Sequence, residues 1–189
     1  MPSLPTVGGS TGTWGTELNA WLLVGHNSAG NNIGGTKRLS IPLNVPDASG
    51  NGYAGQIATA NIRQTLAAFL KDVDGSWYGK VYVPADYSST PKIILRILAN
   101  ATSGVTRLNV HTHAKTDSES VDASLTSETA QDITVPATAY MLKDVTFTLA
   151  SSPAAGDSLT VRVQHEGNHA NDTLAVDTLL YDAIFEYQA

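Results

Sequence analysis

The sequence predicts a mainly β protein, an antiparallel jelly-roll-like β-sandwich preceded by an extended N-terminal arm with a short amphipathic helix. Short segments rich in β-branched and aromatic residues recur from Trp77 to the C-terminus, with turn residues between them. Several segments alternate apolar and polar residues, as Val145, Phe147 and Leu149 do with the threonines between them. Because 42% of the residues are hydrophobic, these segments can supply one core.

The N-terminal arm begins with a segment that cannot fold alone. Residues 5–13 are almost all Gly, Ser, Thr and Pro, so they bury too little apolar area to offset chain entropy. From Trp14 onward, Trp14, Leu18, Trp21 and Leu22 are spaced as one stripe of a helix. A helix of about twelve residues is marginal in isolation. We therefore expect these four residues to form an attachment face, on another protein or on the chain's own C-terminal domain.

The boundary between arm and domain is expected near residue 40, which gives residues 1–40 as the attachment segment and 41–189 as the sandwich domain. Pro42 interrupts a β-like run, which indicates an edge strand or an extended docking segment. Residues 57–71 are ambiguous. The spacing of Leu66, Phe69 and Leu70 favours a short helix there, although the β-branched residues nearby also tolerate a strand.

The remaining segments read consistently as strands separated by turns. They are expected at residues 77–83, 91–99, 105–114, 121–125, 132–135, 141–149, 159–164 and 178–187. In the last segment, strict alternation would put Leu179, Tyr181, Ala183, Phe185 and Tyr187 on one face.

Composition excludes several classes of function. Charged residues make up 15% of the chain, against about 25% in an average soluble protein, and a weakly charged surface often has protein neighbours. The net charge of -6 argues against binding to nucleic-acid phosphates. The absence of cysteine excludes disulfides, thiolate ligands and cysteine nucleophiles. Neither a signal peptide nor a membrane span is predicted.

One histidine pair is the best candidate for a metal site. His111 and His113 would share a strand face about 6.5 to 7 Å apart and could reach one ion. With Gly104 and Glu119 around them, and with Gly156, His165 and His169 later, they resemble in part the two metal-binding motifs of cupins. The interval from Gly104 to His111 is one residue too long for the usual pattern, and Glu119 is displaced. Because a third firm ligand is missing, we expect no metal and no cofactor.

No catalytic motif is convincing. Residues 165–169 contain a His pair but are expected to form a loop, not a zinc-binding helix. Asp172, Asp177 and Asp182 are expected to be solvated carboxylates. The chain has no phosphate-binding loop with its lysine and no Gly-x-Ser-x-Gly elbow. We therefore expect that the protein is not an enzyme.

Two sets of residues resemble known proteins. The block Pro5–Gly15, with Leu18, Asn19, His26 and Asn27 after it, resembles an N-terminal segment of structural proteins in tailed-bacteriophage particles, especially fibre and decoration proteins. The later chain resembles β-sandwich domains of phage virion proteins at Val83–Tyr87, Ala99–Gly104, Ala155–Leu159 with Arg162, Asp172–Ala175 and Ile184–Tyr187. This resemblance implies a role in particle assembly and no defined chemistry.

The favoured interpretation is a capsid decoration or cement protein that binds the major capsid protein or other virion proteins as a homotrimer. It would be made in the host cytoplasm and reside in the phage particle, held by its N-terminal segment. One alternative is a tail, neck or head fibre component with the same anchor. Another is a carbohydrate-binding or cupin-like metal module, in which Trp77, Tyr78 or the His111/His113 pair would contact the ligand.

Overall fold

Residues 35–189, which the computed structural model describes, form twelve β-strands in two antiparallel sheets. The attachment residues Trp14, Leu18, Trp21 and Leu22 lie outside the described residues. The strands are β1 (Thr36–Ser40), β2 (Leu43–Pro46), β3 (Gly52–Ala58), β4 (Arg63–Phe69), β5 (Asp74–Tyr82), β6 (Ser89–Leu98), β7 (Val105–Lys115), β8 (Thr126–Ser127), β9 (Gln131–Thr134), β10 (Lys143–Thr148), β11 (Ser158–Glu166) and β12 (Thr178–Gln188).

The strand order confirms the predicted fold class. The first sheet runs β10-β6-β12-β4-β3, with β1 also paired to β12. The second sheet runs β2-β5-β11-β7-β8, with β9 also paired to β7. The central orders β4-β12-β6-β10 and β5-β11-β7-β9 are those of a jelly roll, in which successive strands cross between the two sheets.

The core lies between the sheets because alternate residues of each strand face inward. Phe69, Phe147 and Phe185 are its largest fully buried side chains. The strand alternation is cleanest in β11, where every second residue from Leu159 to His165 is buried. Ile57, Leu66, Ala68, Leu98 and Leu179 form a smaller separate cluster, with Tyr53 packed against it.

A bulge in β12 changes the face expected for its first residues. The register shifts between Leu180 and Asp182, so Leu180 pairs with Ile97 and Ala183 with Leu95. Leu180, and not Leu179, therefore shares a face with Ala183, and Tyr181 is 41% exposed. The predicted strict alternation is therefore wrong for the start of this strand. The bulge adds one residue, so the residues before it face the opposite side from the one that alternation predicts.

The helix predicted over residues 57–71 is wrong. The segment is a hairpin in which β3 and β4 pair from Gly52 with Phe69 to Ala58 with Arg63. The turn closes where the Thr59 backbone donates to Ile62 O and the Ile62 backbone donates to the Thr59 hydroxyl. Pairing with β12 and burial of alternate residues override the helical propensity of the Leu and Ala residues.

The chain changes sheets at Pro42. β1 ends at Ser40 in the first sheet and β2 begins at Leu43 at the edge of the second, so Pro42 lies in the connection between them. The edge strand predicted here is therefore correct. A compact unit spans residues 37–188, so most of β1, which falls within the segment expected to be arm, belongs to the sandwich.

Residues 121–125, expected to form a weak strand, have no strand structure, and Val121 is 91% exposed. Between residues 35 and 189 there is no helix of the length and apolarity that spanning a membrane requires.

Candidate functional site

The outer surface of the second sheet carries a dense set of polar and aromatic side chains, here called the polar face. It is built from the strand positions that alternate with core residues. The polar face consists of Ser76, Tyr78, Lys80 and Tyr82 from β5, Thr160, Arg162, Gln164 and Glu166 from β11, and Arg107, Asn109, His111, His113 and Lys115 from β7.

One row of side chains crosses the centre of the polar face. The strand register puts Tyr78 opposite Arg162, and Arg162 opposite His111. The row continues to Ser127 at one edge of the sheet and to Val45 at the other. Neighbouring strands are about 4.8 Å apart, so Tyr78 and His111 are separated by about 10 Å. An aromatic ring, a guanidinium and an imidazole are thus presented side by side.

Gln164 holds two members of this row. Its Oε1 atom accepts a hydrogen bond from Arg162 Nη2 at 3.0 Å and lies 2.9 Å from His111 Nε2. Since the acceptor is a carbonyl oxygen, Nε2 of His111 is the protonated nitrogen, and Nδ1 keeps a free lone pair. Burial, and next the charge of Arg162, lower the pKa of His111 below its usual value, so the ring is neutral near pH 7.

Arg162 has unused hydrogen-bonding capacity. Its Nη2 atom bonds to Gln164, while its buried Nε has no hydrogen-bond partner among residues 35–189. A buried donor without an acceptor is costly in a native structure. This guanidinium is therefore held in place at one end and has donors left for another group.

At the opposite end of the polar face, one arginine is paired with two carboxylates. Arg107 Nε donates to Glu166 Oε2 at 2.7 Å, and its Nη1 donates to Asp132 Oδ1 at 2.5 Å. Asn171 Nδ2 also donates to Asp132, at 2.6 Å. Arg107, and next Asn171, hold the pKa of Asp132 below its usual value. These groups satisfy one another and form a rigid border.

Aromatic and apolar surface flanks the row on the β5 side. Tyr82 is 65% exposed, and its hydroxyl lies close to Gly156 in the turn before β11. Val45 of the edge strand is also exposed and pairs with Tyr78. The polar face therefore combines flat apolar surface with hydrogen-bonding groups, as small-molecule sites do.

The structure separates the residues expected to contact a ligand. His111 and His113 share a strand face, as predicted, but His111 is only 9% exposed and is hydrogen-bonded to Gln164, which limits its reach. Tyr78 faces outward. Trp77 does not, because it is 7% exposed in the core and its Nε1 donates to Ala68 O at 3.0 Å. The expectation that Trp77 could meet a ligand is therefore wrong.

No metal centre is formed in the described part of the chain. Residues 35–189 contain no group of three or more His, Asp or Glu side chains placed to hold an ion. The predicted loop after β11 holds His169, while His165 is the last buried residue of the strand. The two histidines are therefore not joined in one site.

A buried pair was missed by the sequence interpretation. Asp172 was expected to be solvated, but its side chain is 1% exposed. Its Oδ2 atom accepts from the Arg107 backbone at 2.7 Å and lies 2.8 Å from His165 Nε2. The pair fixes the loop after β11 to the sheet. The alternation of His165 with Val161 and Val163 was the signal that this histidine faces the core.

Two open clefts lie away from the polar face. One, of ≈ 210 Å³, lies between β4 and the bulge of β12 and is lined in part by Leu66, Tyr181 and Asp182. The other, of ≈ 300 Å³, lies beside the β3–β4 turn and includes Arg63. Neither assembles the convergent donors and acceptors found on the polar face.

No protein-family model matches the sequence, and no curated protein matches it. Among solved structures, CsCBM6-3 from Clostridium stercorarium, in complex with cellobiose, has a TM-score of 0.45 and 12% identity, over 81% of this chain and 94% of that one. A β-1,3-glucan-binding CBM6 from Bacillus halodurans has a TM-score of 0.44 and 12% identity, over 81% and 96%. The K1 cleaved adhesin domain of Lys-gingipain from Porphyromonas gingivalis has a TM-score of 0.45 and 15% identity, over 82% and 100%.

Proposed function

We propose that the sandwich domain binds carbohydrate on its polar face, with the row of Tyr78, Arg162 and His111 in contact with the sugar. This row is the observation that carries the proposal. A sugar ring has an apolar face that stacks on an aromatic ring and a rim of hydroxyls that both donate and accept hydrogen bonds. Tyr78 supplies the first partner, while Arg162 donates and His111 Nδ1 accepts.

Preorganisation of the row supports this proposal. Its side chains stand on three neighbouring strands of one sheet, and Gln164 holds two of them by hydrogen bonds. Binding groups fixed before the ligand arrives lose less side-chain entropy on binding. The span of about 10 Å across two strand spacings suits a short oligosaccharide lying across the strands.

The charges of the polar face favour binding over hydrolysis. A glycoside hydrolase needs two carboxyl groups, one of them an acid with a raised pKa. The carboxylates that border the row, Glu166 and Asp132, are both ion-paired with Arg107. Arg107 lowers the pKa of Asp132 rather than raising it. We therefore propose a binding module that is not an enzyme.

The test is binding of the full chain to a panel of soluble polysaccharides by affinity electrophoresis, followed by calorimetry on any ligand found. Tyr78→Ala should raise Kd at least about tenfold, as loss of a central aromatic contact does. Tyr181→Ala is the matched control, because Tyr181 is an exposed tyrosine outside the polar face. Equal losses for the two variants, or no binding to any polysaccharide, would contradict the proposal.

We propose, as a second and separable function, that the chain is a structural protein of a tailed-phage particle that presents this domain. The block Pro5–Gly15 and the residues Trp14, Leu18, Trp21 and Leu22 support this proposal through their resemblance to particle-attachment segments. A capsid decoration protein, bound as a homotrimer to the major capsid protein, and an anchored tail, neck or head fibre are the two locations proposed.

Deletion of residues 1–25 tests the attachment role. The shortened chain should keep the circular dichroism and oligomeric state of the full chain and lose co-sedimentation with phage particles. Polysaccharide binding should survive the deletion, since the polar face lies within residues 37–188. Undiminished co-sedimentation of the shortened chain would show that the segment is not the anchor.

A further inference from the structure

We infer that the polar face selects acidic polysaccharides, in which Lys80 and Arg162 bind the carboxylate of a uronic acid unit while Tyr78 stacks on its ring. The inference rests on the proposed carbohydrate-binding function and specifies its ligand. It comes from the distribution of unpaired cationic side chains over the described residues.

The chain has few cations, and most are neutralised. Of the eleven Lys and Arg residues, all within residues 35–189, six form ion pairs: Lys37, Arg38, Lys71, Lys92, Arg96 and Arg107. The five without an ion pair in this part of the chain are Arg63, Lys80, Lys115, Lys143 and Arg162. Three of these five belong to the polar face, although the protein as a whole is acidic.

The unpaired cations lie in consecutive rows. Lys80 on β5 lies opposite Thr160 on β11, and Thr160 lies opposite His113 on β7. This row is next to the row of Tyr78 and Arg162. Lys115 lies in the next row, opposite Ser158. Lys80 stands two residues from Tyr78 on β5, and Arg162 stands opposite Tyr78 on β11. Both cationic groups therefore flank the tyrosine and can address one carboxylate and the ring that bears it.

Three acidic residues around Lys80, Arg162 and Lys115 accept hydrogen bonds from backbone groups, and within residues 35–189 they form no ion pair with these cations. Glu119, in the turn after Lys115, accepts from the Thr116 backbone, and Asp157 accepts from the Ala154 backbone. Asp47, beside β2, accepts from the Ser76 backbone. Asp117 and Asp122 are exposed in the loop after β7, so Lys115 meets more negative potential than Lys80. The centre of the positive region is therefore Lys80 with Arg162.

The other half of the face has the opposite character. This end of the polar face carries three carboxylates, Asp74, Glu166 and Asp132. Its single cation among the described residues, Arg107, is ion-paired with two of them, Glu166 and Asp132. A uniformly charged polyanion would meet repulsion there. An acidic sugar chain that crosses the strands at the Tyr78 row would not meet this repulsion.

Arg162 adds a specific reason for an anionic partner. Its buried Nε has no acceptor among the described residues, and its one hydrogen bond is to the neutral Gln164. A guanidinium pairs most strongly with a planar carboxylate that accepts two parallel hydrogen bonds. Because Nε is buried, a bound uronate would accept from the terminal Nη1 and Nη2 atoms, and Nη2 has a second hydrogen besides the one bonded to Gln164.

The experiment compares polygalacturonate with the same polymer after chemical reduction of its carboxyl groups, using the full chain and calorimetry at two salt concentrations. We expect binding to the acidic polymer and at least about tenfold weaker binding to the reduced one. Lys80→Met and Arg162→Gln should each weaken binding to the acidic polymer. Lys143→Met, an unpaired lysine on the first sheet, should not.

The outcomes separate the inference from the function on which it rests. Equal binding to both polymers, lost in Tyr78→Ala, would leave the carbohydrate-binding function and overturn acid selectivity. Binding to neither polymer nor to alginate would overturn the inference. Equal binding to dextran sulfate that persists in Tyr78→Ala would also overturn it, because general attraction of polyanions would then explain the result.

Discussion

The Trp77 indole donates a hydrogen bond from Nε1 to the carbonyl oxygen of Ala68 at 3.0 Å. The two residues belong to different sheets, β5 in the second and β4 in the first, so this bond ties the layers of the sandwich together. The bond also holds Trp77 on the inner side of β5. Because successive residues of a strand face opposite sides, Tyr78 then faces outward, on the polar face.

Replacement of Trp77 by phenylalanine should test this bond. Trp77→Phe keeps an aromatic ring in the core and leaves the Ala68 carbonyl without the indole donor. We expect a loss of about 1–3 kcal/mol in the free energy of unfolding, measured by urea denaturation. A loss below 0.5 kcal/mol, on the order of ordinary surface substitutions, would mean that the bond contributes little.

Addition of a methyl group at Gly79 should displace the edge strand β2. A Cβ atom there would lie 2.4 Å from Pro42 O and 2.9 Å from a Leu43 methyl carbon. Because the first contact is with backbone, Gly79→Ala should destabilise the protein by about 1–3 kcal/mol. Gly35→Ala is the control, since its Cβ would meet nothing within 4 Å. Thermal unfolding of the two variants gives the comparison, and equal melting temperatures would contradict this account.

The stability of the protein should fall on the acidic side of neutrality because of His111. Burial, and next Arg162, lower the pKa of His111 from its usual 6.5. In the unfolded chain the imidazole takes up a proton near pH 6.5, while the folded protein resists it. The unfolded state therefore binds more protons in this window, and the free energy of unfolding decreases as the pH falls below about 7.

Two variants isolate the contribution of His111. His111→Gln should flatten the decline in unfolding free energy between about pH 7 and pH 5. Arg162→Gln should raise the pKa of His111, because it removes a neighbouring positive charge, and NMR titration of the imidazole would measure it. A wild-type pKa at or above 6.5 would show that the ring is not held neutral.

Tyr53 should ionise well above the usual pH range of a phenol. Burial, and next the hydrogen bond from its hydroxyl to Asp177 Oδ2, raise its pKa to about 12. Since the unfolded phenol ionises near pH 10, stability associated with this group is lost as the pH rises from 10 through 12. Ultraviolet titration of the folded protein should show a late phenolate component that Tyr53→Phe removes. A titration curve unchanged by that substitution would disprove the assignment.

Sequence patterns were sufficient for the fold class and for most strands, because alternation and turn residues are local signals. They failed where a non-local contact decides the conformation. The segment of β3 and β4 has helical composition and becomes a hairpin through pairing with β12. The bulge before Asp182 contains no glycine or proline that would predict it from the sequence.

The candidate site was only partly accessible from sequence. Tyr78, His111 and His113 could be placed on strand faces, but the proximity of Tyr78 to Arg162 depends on the register of strands 84 positions apart in the chain. The burial of Asp172 depends in the same way on its contacts with His165 and Arg107. Neither the proximity of Tyr78 to Arg162 nor the burial of Asp172 can be predicted from the local sequence.

The position of β11 between β5 and β7 has a consequence for biosynthesis. The two outer strands of the polar face are complete by Lys115, yet they pair with each other only through β11, which ends at Glu166. Contacts that close over long sequence separations form late in folding. A nascent chain therefore cannot assemble the polar face until the residues through Glu166 have been synthesised.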